Sequence, residues 1–429
     1  MNHLDPNFVH LPIPEPKILS DNHFKKLLRL NLFRLIGKIN TIRKCDFRTP
    51  QNPRIVLMRP DHIGDILFLT PALLHLRKLY PHADITLMVG SWGKDIVQNN
   101  PHIDHTLTCD FPGFTRRPKK SLCNPTLCPS PLKGRGWGGV SCPSWQPYRY
   151  LIEQAKIIKQ FHFDIAIILR FDHWWGAWLA MLADIPYRIG YAIPTVIPFL
   201  TTTMPYIDQR HEVEQNWQLI DHVQTIIPHV RQIESDIPGD MEFFISKDDT
   251  VWATTWLNNH KIINRSCIII HPGAGAKVKL WRNTAWIQLA QTLIDKYNAY
   301  IILSGSLAER KLCKIIATKL KSHYFVTAGE TTIGQLAALM KHATLVIGPD
   351  TGPLKLAIAV GTPTIQLYGP VDAVKFGAWG NKNKHRLITS GLSCIPCNRL
   401  DYTQNEVESH FCVRGISVES VLSECATFF

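Results

Sequence analysis

Nothing in this chain stays apolar long enough to cross a bilayer; no hydrophobic run reaches the roughly 18–20 residues that a spanning helix needs. The opening stretch MNHLDPNFVHLPIPEPKILSD is polar and broken by proline, so it does not read as a secretory signal. Acids are scarce beside bases, 34 Asp and Glu against 47 Lys and Arg, which leaves a formal charge of +13. That imbalance predicts attraction to something anionic: nucleic acid, a membrane surface or a phosphorylated substrate. No helix-turn-helix, zinc finger or RNP pattern supports nucleic acid. No G-x-G-x-x-G follows the first strand, which counts against a dehydrogenase, and the glycine-rich HPGAGAK lacks the Walker order of Gly-Lys-Ser/Thr. The 11 cysteines are odd in number and mostly scattered, which argues against a disulfide framework. The expectation is a reduced, cytoplasmic protein.

What is present is globular. Hydrophobic residues make up 45% and aromatics 10%, and 429 residues exceed one ordinary core, so two domains with extras are expected. Residues 1–21 read as a loose tail. Phe24 to Lys44 then interleaves seven Lys and Arg with Leu, Ile and Phe and contains no acid. Such a stretch fits a basic amphipathic helix on an anionic membrane, or equally a helix packed on the protein with its charges in water.

Alternating strands and helices begin at RIVLMRPDHIGDILFLTPALLHLRKLYPHADITLMVG. The strand is Arg54 to Met58, the helix Ile66 to Tyr80, and the next strand Ile85 to Val89. The rhythm breaks at 112–147, where seven prolines and five glycines read as a flexible insertion. It resumes with a helix at 151–161, a strand at 164–169, a Trp-rich helix, and an edge-like strand at MEFFIS. A second block starts at the Cys267 to Ile270 strand and ends with LVIGPDTGPLKLAIAVGTPTIQLYG. There Thr344 to Ile347 reads as a buried strand, Pro353 as the first residue of a helix, and Thr364 to Tyr368 as another strand. Two such blocks predict two doubly wound α/β domains facing a cleft.

Open α/β sheets bind ligands beyond the carboxyl ends of their strands. Four loops fall there: RPDHIGD, HPGAGAKVKLW, SGSLAER and GPDTGPLK. A helix N-terminus after a strand, as at Asp350-Thr351-Gly352-Pro353, offers free N–H groups and the positive end of a dipole to phosphate. Asp65 is placed either as a general base or as an acid favoured by a helix dipole. Taken alone, Lys279 reads as a surface lysine, Glu309 as a first-turn acid, and His271 and Gly273 as turn residues.

The combination resembles glycosyltransferase family 9, the heptosyltransferases that extend the inner core of lipopolysaccharide. Gly64-Asp65 followed by LTPAL, HPGAG…KLW, and DTGP…A…GTP…LYGP carry the likeness over roughly 54–110 and 150–415. The resemblance implies a GT-B fold of two Rossmann-like domains. It implies inverting sugar transfer from a nucleotide diphosphate, usually ADP-heptose, to a lipid-linked saccharide, with no essential metal or other cofactor. It assigns Asp65 as catalytic base and Asp61 and Gly64 to the acceptor side. His271, Gly273, Lys279, Gly305, Ser306, Glu309, Asp350, Thr351, Gly352 and Lys355 fall on the donor side, with Lys279 toward phosphate, Glu309 toward the nucleoside and Asp350 toward the sugar. The sequence departs at Lys355, where members commonly carry His, and at Asp61-His62, where small residues are common.

Cys394 and Cys397, with Cys412 further on, form a possible zinc half-site or a set of reduced thiols. The expected organisation is a tail and basic helix at 1–44, an acceptor-side domain at 45–250, a donor domain at 251–415 and a terminal segment at 416–429. The expected partners are a nucleotide sugar, a lipid-linked saccharide and an anionic membrane surface, with peripheral association at its cytoplasmic face. Alternatives are the same fold with another nucleotide sugar, or an inactive scaffold acting as a basic membrane-binding protein.

Overall fold

The computed structural model describes residues 31–35, 37, 52–114, 146–226, 237–263 and 265–429. The tail at 1–21, most of the basic stretch at 24–44 and nearly all of the 112–147 insertion lie outside the described residues.

Two all-parallel sheets of six strands carry the fold. The first contains β1 (Arg54–Arg59), β2 (Asp84–Val89), β3 (His105–Thr108), β4 (Ile165–Ile168), β5 (Tyr187–Tyr191) and β6 (Thr202–Met204). Its order is β3-β2-β1-β4-β5-β6. The second contains β7 (Cys267–Ile270), β8 (Tyr300–Leu303), β9 (Tyr324–Val326), β10 (Leu345–Pro349), β11 (Thr364–Leu367) and β12 (His385–Ile388). Its order, β12-β11-β10-β7-β8-β9, is the same topology repeated. The central strands are buried along almost their whole length because helices cover both faces, which is why they read as continuous β-branched runs. In each sheet the strand order reverses between the first and fourth strands. The crevice there receives the loops after β1 and β4, and after β7 and β10.

The single helix expected over 66–80 is two helices, Ile63–Leu67 and Thr70–Leu79. Pro71 forbids continuity, since its ring would strike the Leu67 carbonyl, and the Thr70 hydroxyl donates to that oxygen instead at 2.8 Å. MEFFIS is no strand. It spans the two halves, with Glu242 N donating to Thr70 Oγ1 at 2.9 Å and Phe243 N to the Ala359 carbonyl at 3.2 Å. The expected boundary at 250 falls inside the Lys247–Asn259 helix, which is capped by Ser246. The terminal Val418–Cys425 helix buries Val418, Val421 and Cys425 in the same core as β7 and β8.

The short N-terminal helical piece is seated on the first domain. Phe33 is fully buried, with ring centroids 5.2 Å from Trp174 and 4.9 Å from Phe199.

The halves meet where the Ile63–Leu67 helix faces the Gly352–Ala359 helix. A Cβ on Gly352 would lie 3.0 Å from Ile63 Cβ and 3.4 Å from Gly64 N, so glycine lets the two helices sit this close without either giving way. Gly352→Val should force these helices apart and cost about 1–3 kcal/mol, read as a lowered unfolding midpoint. An unchanged midpoint would show that the contact separates freely.

Candidate active site

On the first domain the site grows from the end of β1. Arg59, 2% exposed, closes that otherwise apolar strand. Its guanidinium pairs with Asp61 at 2.9 Å and Glu212 at 3.3 Å, and reaches Asp65 at 3.9 Å. It also donates to Asn216 Oδ1 at 3.1 Å and to the Leu169 carbonyl at 3.2 Å. Arg170, at the end of β4, pairs with the other Asp61 oxygen and with Asp172 at 2.6 Å. Asp61 is thus buried between two arginines; burial opposes its charge, but Arg170 and Arg59 hold it below the ordinary carboxylate range. Its Oδ1 pairs with Arg170 and its Oδ2 with Arg59.

Asp65 is treated differently. It sits in the first turn of the Ile63–Leu67 helix with its side chain 30% exposed. Burial, followed by the charge of Asp61, pushes its pKa up to about 6, with Arg59 pulling only partly the other way. One arginine shared among three acids leaves this carboxylate under-compensated.

On the second domain the glycine-rich loop after β7 holds His271, whose Nδ1 lies 3.1 Å from Ser304 Oγ at the end of β8. Burial pushes the imidazole pKa down, which favours its neutral form. Gly273 leaves room for the Glu309 carboxylate, whose Oε1 would lie 2.0 Å from a Cβ there. The other Glu309 oxygen accepts from Ser306 N and Oγ, both at 2.7 Å, in a capping box just beyond Gly305. Glu309 therefore caps its own turn and also faces the neighbouring loop.

Asp350 lies beyond β10, bound by two lysines. Lys279 Nζ donates to Oδ2 at 2.7 Å, and Lys355 Nζ to Oδ1 at 2.9 Å. Burial opposes the charge of Asp350, but Lys355 and Lys279 hold its pKa far below the ordinary range. Lys355 is 2% exposed and also donates to Gln366 Oε1 at 2.9 Å and Tyr368 OH at 2.5 Å. Its three protons are thus taken by protein acceptors. Thr351 caps the Gly352–Ala359 helix in extended geometry, and its buried hydroxyl finds no partner among the described residues. An orphaned hydroxyl beside a helix N-terminus fits an anionic ligand.

Asp61, Gly64 and Asp65 on one wall are therefore brought against Asp350, Thr351, Gly352, Lys279 and Lys355 on the other. A Cβ on Gly64 would sit 3.4 Å from Lys355 Cγ. Sequence reasoning missed Arg59, Arg170, Glu212, Gln366 and Tyr368. A charged residue ending a buried strand at a switch point was the available signal for both arginines. Among the described residues no group of three or more His, Cys, Asp or Glu is placed to hold a metal ion, so Cys394, Cys397 and Cys412 do not assemble as one. They are free thiols, and Cys397 lies 3.6 Å from Tyr402 OH.

Two parallel six-stranded sheets of one topology, opposed at their switch points, define the GT-B fold. The sequence model of glycosyltransferase family 9 (heptosyltransferase) matches residues 152–406, and the chain belongs to that family. It is 21% identical to the lipopolysaccharide core heptosyltransferase OpsX of Haemophilus influenzae, over 76% of this chain and 82% of the relative. It is likewise 21% identical to lipopolysaccharide heptosyltransferase 1 of Pseudomonas aeruginosa, over 83% of this chain and 89% of the relative. The fold is similar to that of E. coli ADP-heptose LPS heptosyltransferase II, with a TM-score of 0.63, 18% identity, and coverage of 87% of this chain and 98% of that one.

The raised pKa of Asp65 sets a stability test. Its folded value of about 6 exceeds its ordinary 3.8. Its contribution to stability is therefore full below the lower value and is lost as pH rises through the upper one. Asp65→Asn should melt with wild type near pH ~4 and a few degrees above it at pH ~8. Parallel melting curves at both pH values would mean that Asp65 carries no such strain.

Proposed function

We propose that this protein transfers heptose from ADP-heptose to the lipopolysaccharide core or a related lipid-linked saccharide, inverting the anomeric centre. The supporting observation is the pairing of Asp65, titrating near 6, with the Asp350–Thr351–Gly352 helix N-terminus opposite. The similarity to lipopolysaccharide heptosyltransferases supports the choice of sugar and acceptor.

In this reading the donor diphosphate lies over the Gly352–Ala359 helix N-terminus, with Lys279 on the phosphates and Asp350 toward the sugar. Glu309 contacts the nucleoside from the β8 loop. Asp65 takes the proton of the acceptor hydroxyl as its oxygen attacks C1. The bond from C1 to the diphosphate breaks on the opposite face, which inverts the centre. Charge on the departing diphosphate is offset by Lys279 and the helix N–H groups, so the step calls on no metal. Asp65→Asn should cut turnover about 10²–10⁴-fold while ADP affinity stays within a few-fold. In wild type kcat/KM should fall as pH drops below about 6. Normal turnover in the Asn variant would remove Asp65 from the mechanism.

We also propose that the enzyme works peripherally at an anionic membrane face, reached through its basic N-terminal stretch. Leu32 and Leu35 are 48% and 58% exposed beside the buried Phe33, and Ile197 is 44% exposed. Apolar side chains on a basic helix add insertion to charge attraction. Deleting the stretch would also empty the Phe33 pocket, so the cleaner test is Leu32→Glu with Leu35→Glu. That variant should keep its melting temperature and its transfer to a short soluble acceptor, yet bind anionic vesicles several-fold more weakly. Undiminished vesicle binding would refute the membrane seat.

A further inference from the structure

Asp350 holds two cations that differ in their freedom to leave. Lys355 is enclosed: its three N–H groups go to Asp350, Gln366 and Tyr368, and its side chain is 3% exposed. Drawing it toward a ligand would strand the Gln366 amide oxygen in the interior and take one of two cations from Asp350. Lys279 has no such enclosure. Its side chain is 15% exposed, at the end of the Lys277–Lys279 turn. Among the described residues its ammonium binds only Asp350, through the carboxylate at 2.7 Å and the backbone carbonyl at 3.4 Å.

Resting on the nucleotide-diphosphate reading above, we propose that Lys355 is a positioning residue rather than a donor ligand. As the permanent counter-ion of Asp350, it leaves Lys279 free to pass from that carboxylate to the donor's diphosphate. The physical requirement is charge balance in a buried site. With Lys355 present, departure of Lys279 leaves a neutral, hydrogen-bonded Asp350–Lys355 pair. Without Lys355, Lys279 is the sole cationic partner of a buried carboxylate that otherwise accepts only from Tyr368 OH at 2.9 Å, and its release leaves that charge uncompensated. Anchoring Asp350 through Oδ1 also keeps Oδ2 in place, facing the cleft, for the sugar that arrives as Lys279 departs.

The test measures ADP binding by calorimetry in the full-length protein. Lys355→Met should raise the ADP dissociation constant at least ten-fold although every proposed donor ligand remains, because Lys279 is then locked on Asp350. Adding Asp350→Asn in the same chain should return most of that affinity by releasing Lys279. Asp350→Asn alone should bind ADP no more weakly than wild type. If Lys355→Met binds ADP normally, or if the double variant stays as weak as the single, Lys355 is no counter-ion of this kind; the second result would make it a direct ligand. Lys355→Gln, which offers two N–H donors without the charge, should reproduce the Met phenotype should the Met variant fold poorly, and wild-type affinity in it would overturn the proposal. ADP binding by wild type that Lys279→Met leaves unchanged would overturn the lysine transfer while sparing the donor reading. Failure of wild type to bind ADP would overturn the donor reading first.

Discussion

The active cleft depends on one close approach, that of the Ile63–Leu67 helix to the Gly352–Ala359 helix. Both begin at the carboxyl end of a first or fourth strand, so each domain's switch point delivers a helix N-terminus to the same place. Gly64 and Gly352 supply the missing side-chain volume that lets them meet. Asp65 and Asp350 then face one cleft because each lies within two residues of its glycine. A branched residue at Gly352 would press the first domain's wall away from the second's, however well either domain folded.

That approach brings buried charges together, and the two walls treat them oppositely. On the first domain, Asp61, Asp65, Asp172 and Glu212 share Arg59 and Arg170. Acids outnumber bases, and the least compensated carboxylate is pushed toward neutrality. On the second, Lys279 and Lys355 surround Asp350, bases outnumber acids, and the carboxylate stays ionised. The roles proposed for Asp65 and Asp350 call for that difference: a base must release and accept a proton near neutral pH, whereas a sugar-binding acid beside a diphosphate must not titrate there. The two aspartates diverge because the number of their cationic neighbours differs.

Much of the fold was legible because buried parallel strands must be β-branched and continuous. RIVLM, CIII and LVIG declare themselves for that reason. β5 and β6 did not: YRIGY mixes an arginine and a glycine into a short strand, and TTM is only half-buried. Arg188 can sit in β5 because its guanidinium donates to the carbonyls of Phe199 and Ile185, partners no local pattern reveals. MEFFIS misled because its alternation serves a crossing between domains. The loops after β7, β8 and β10 were legible as a set, since their positions after strands and their glycines follow from local geometry. The surroundings of Asp65 were not. Glu212 stands 153 residues from Arg59 in sequence, and only the folded chain makes them neighbours.

The same limit governs how the basic N-terminal stretch is understood. Charge and periodicity described it equally well as a membrane helix or as a packed one, and its described portion packs one side chain on the body and leaves two exposed. Phe33 is inserted among Trp174, Trp178 and Phe199, while Leu32 and Leu35 remain in water. An anchor joined to the body only by a flexible linker would place the cleft anywhere within the linker's reach of a surface. Under the membrane seat proposed above, one fixed through a buried aromatic ring would hold the cleft at a set orientation to the surface that Leu32 and Leu35 engage. Loss of conformational freedom would then be met once, in folding, rather than at each encounter with an embedded acceptor.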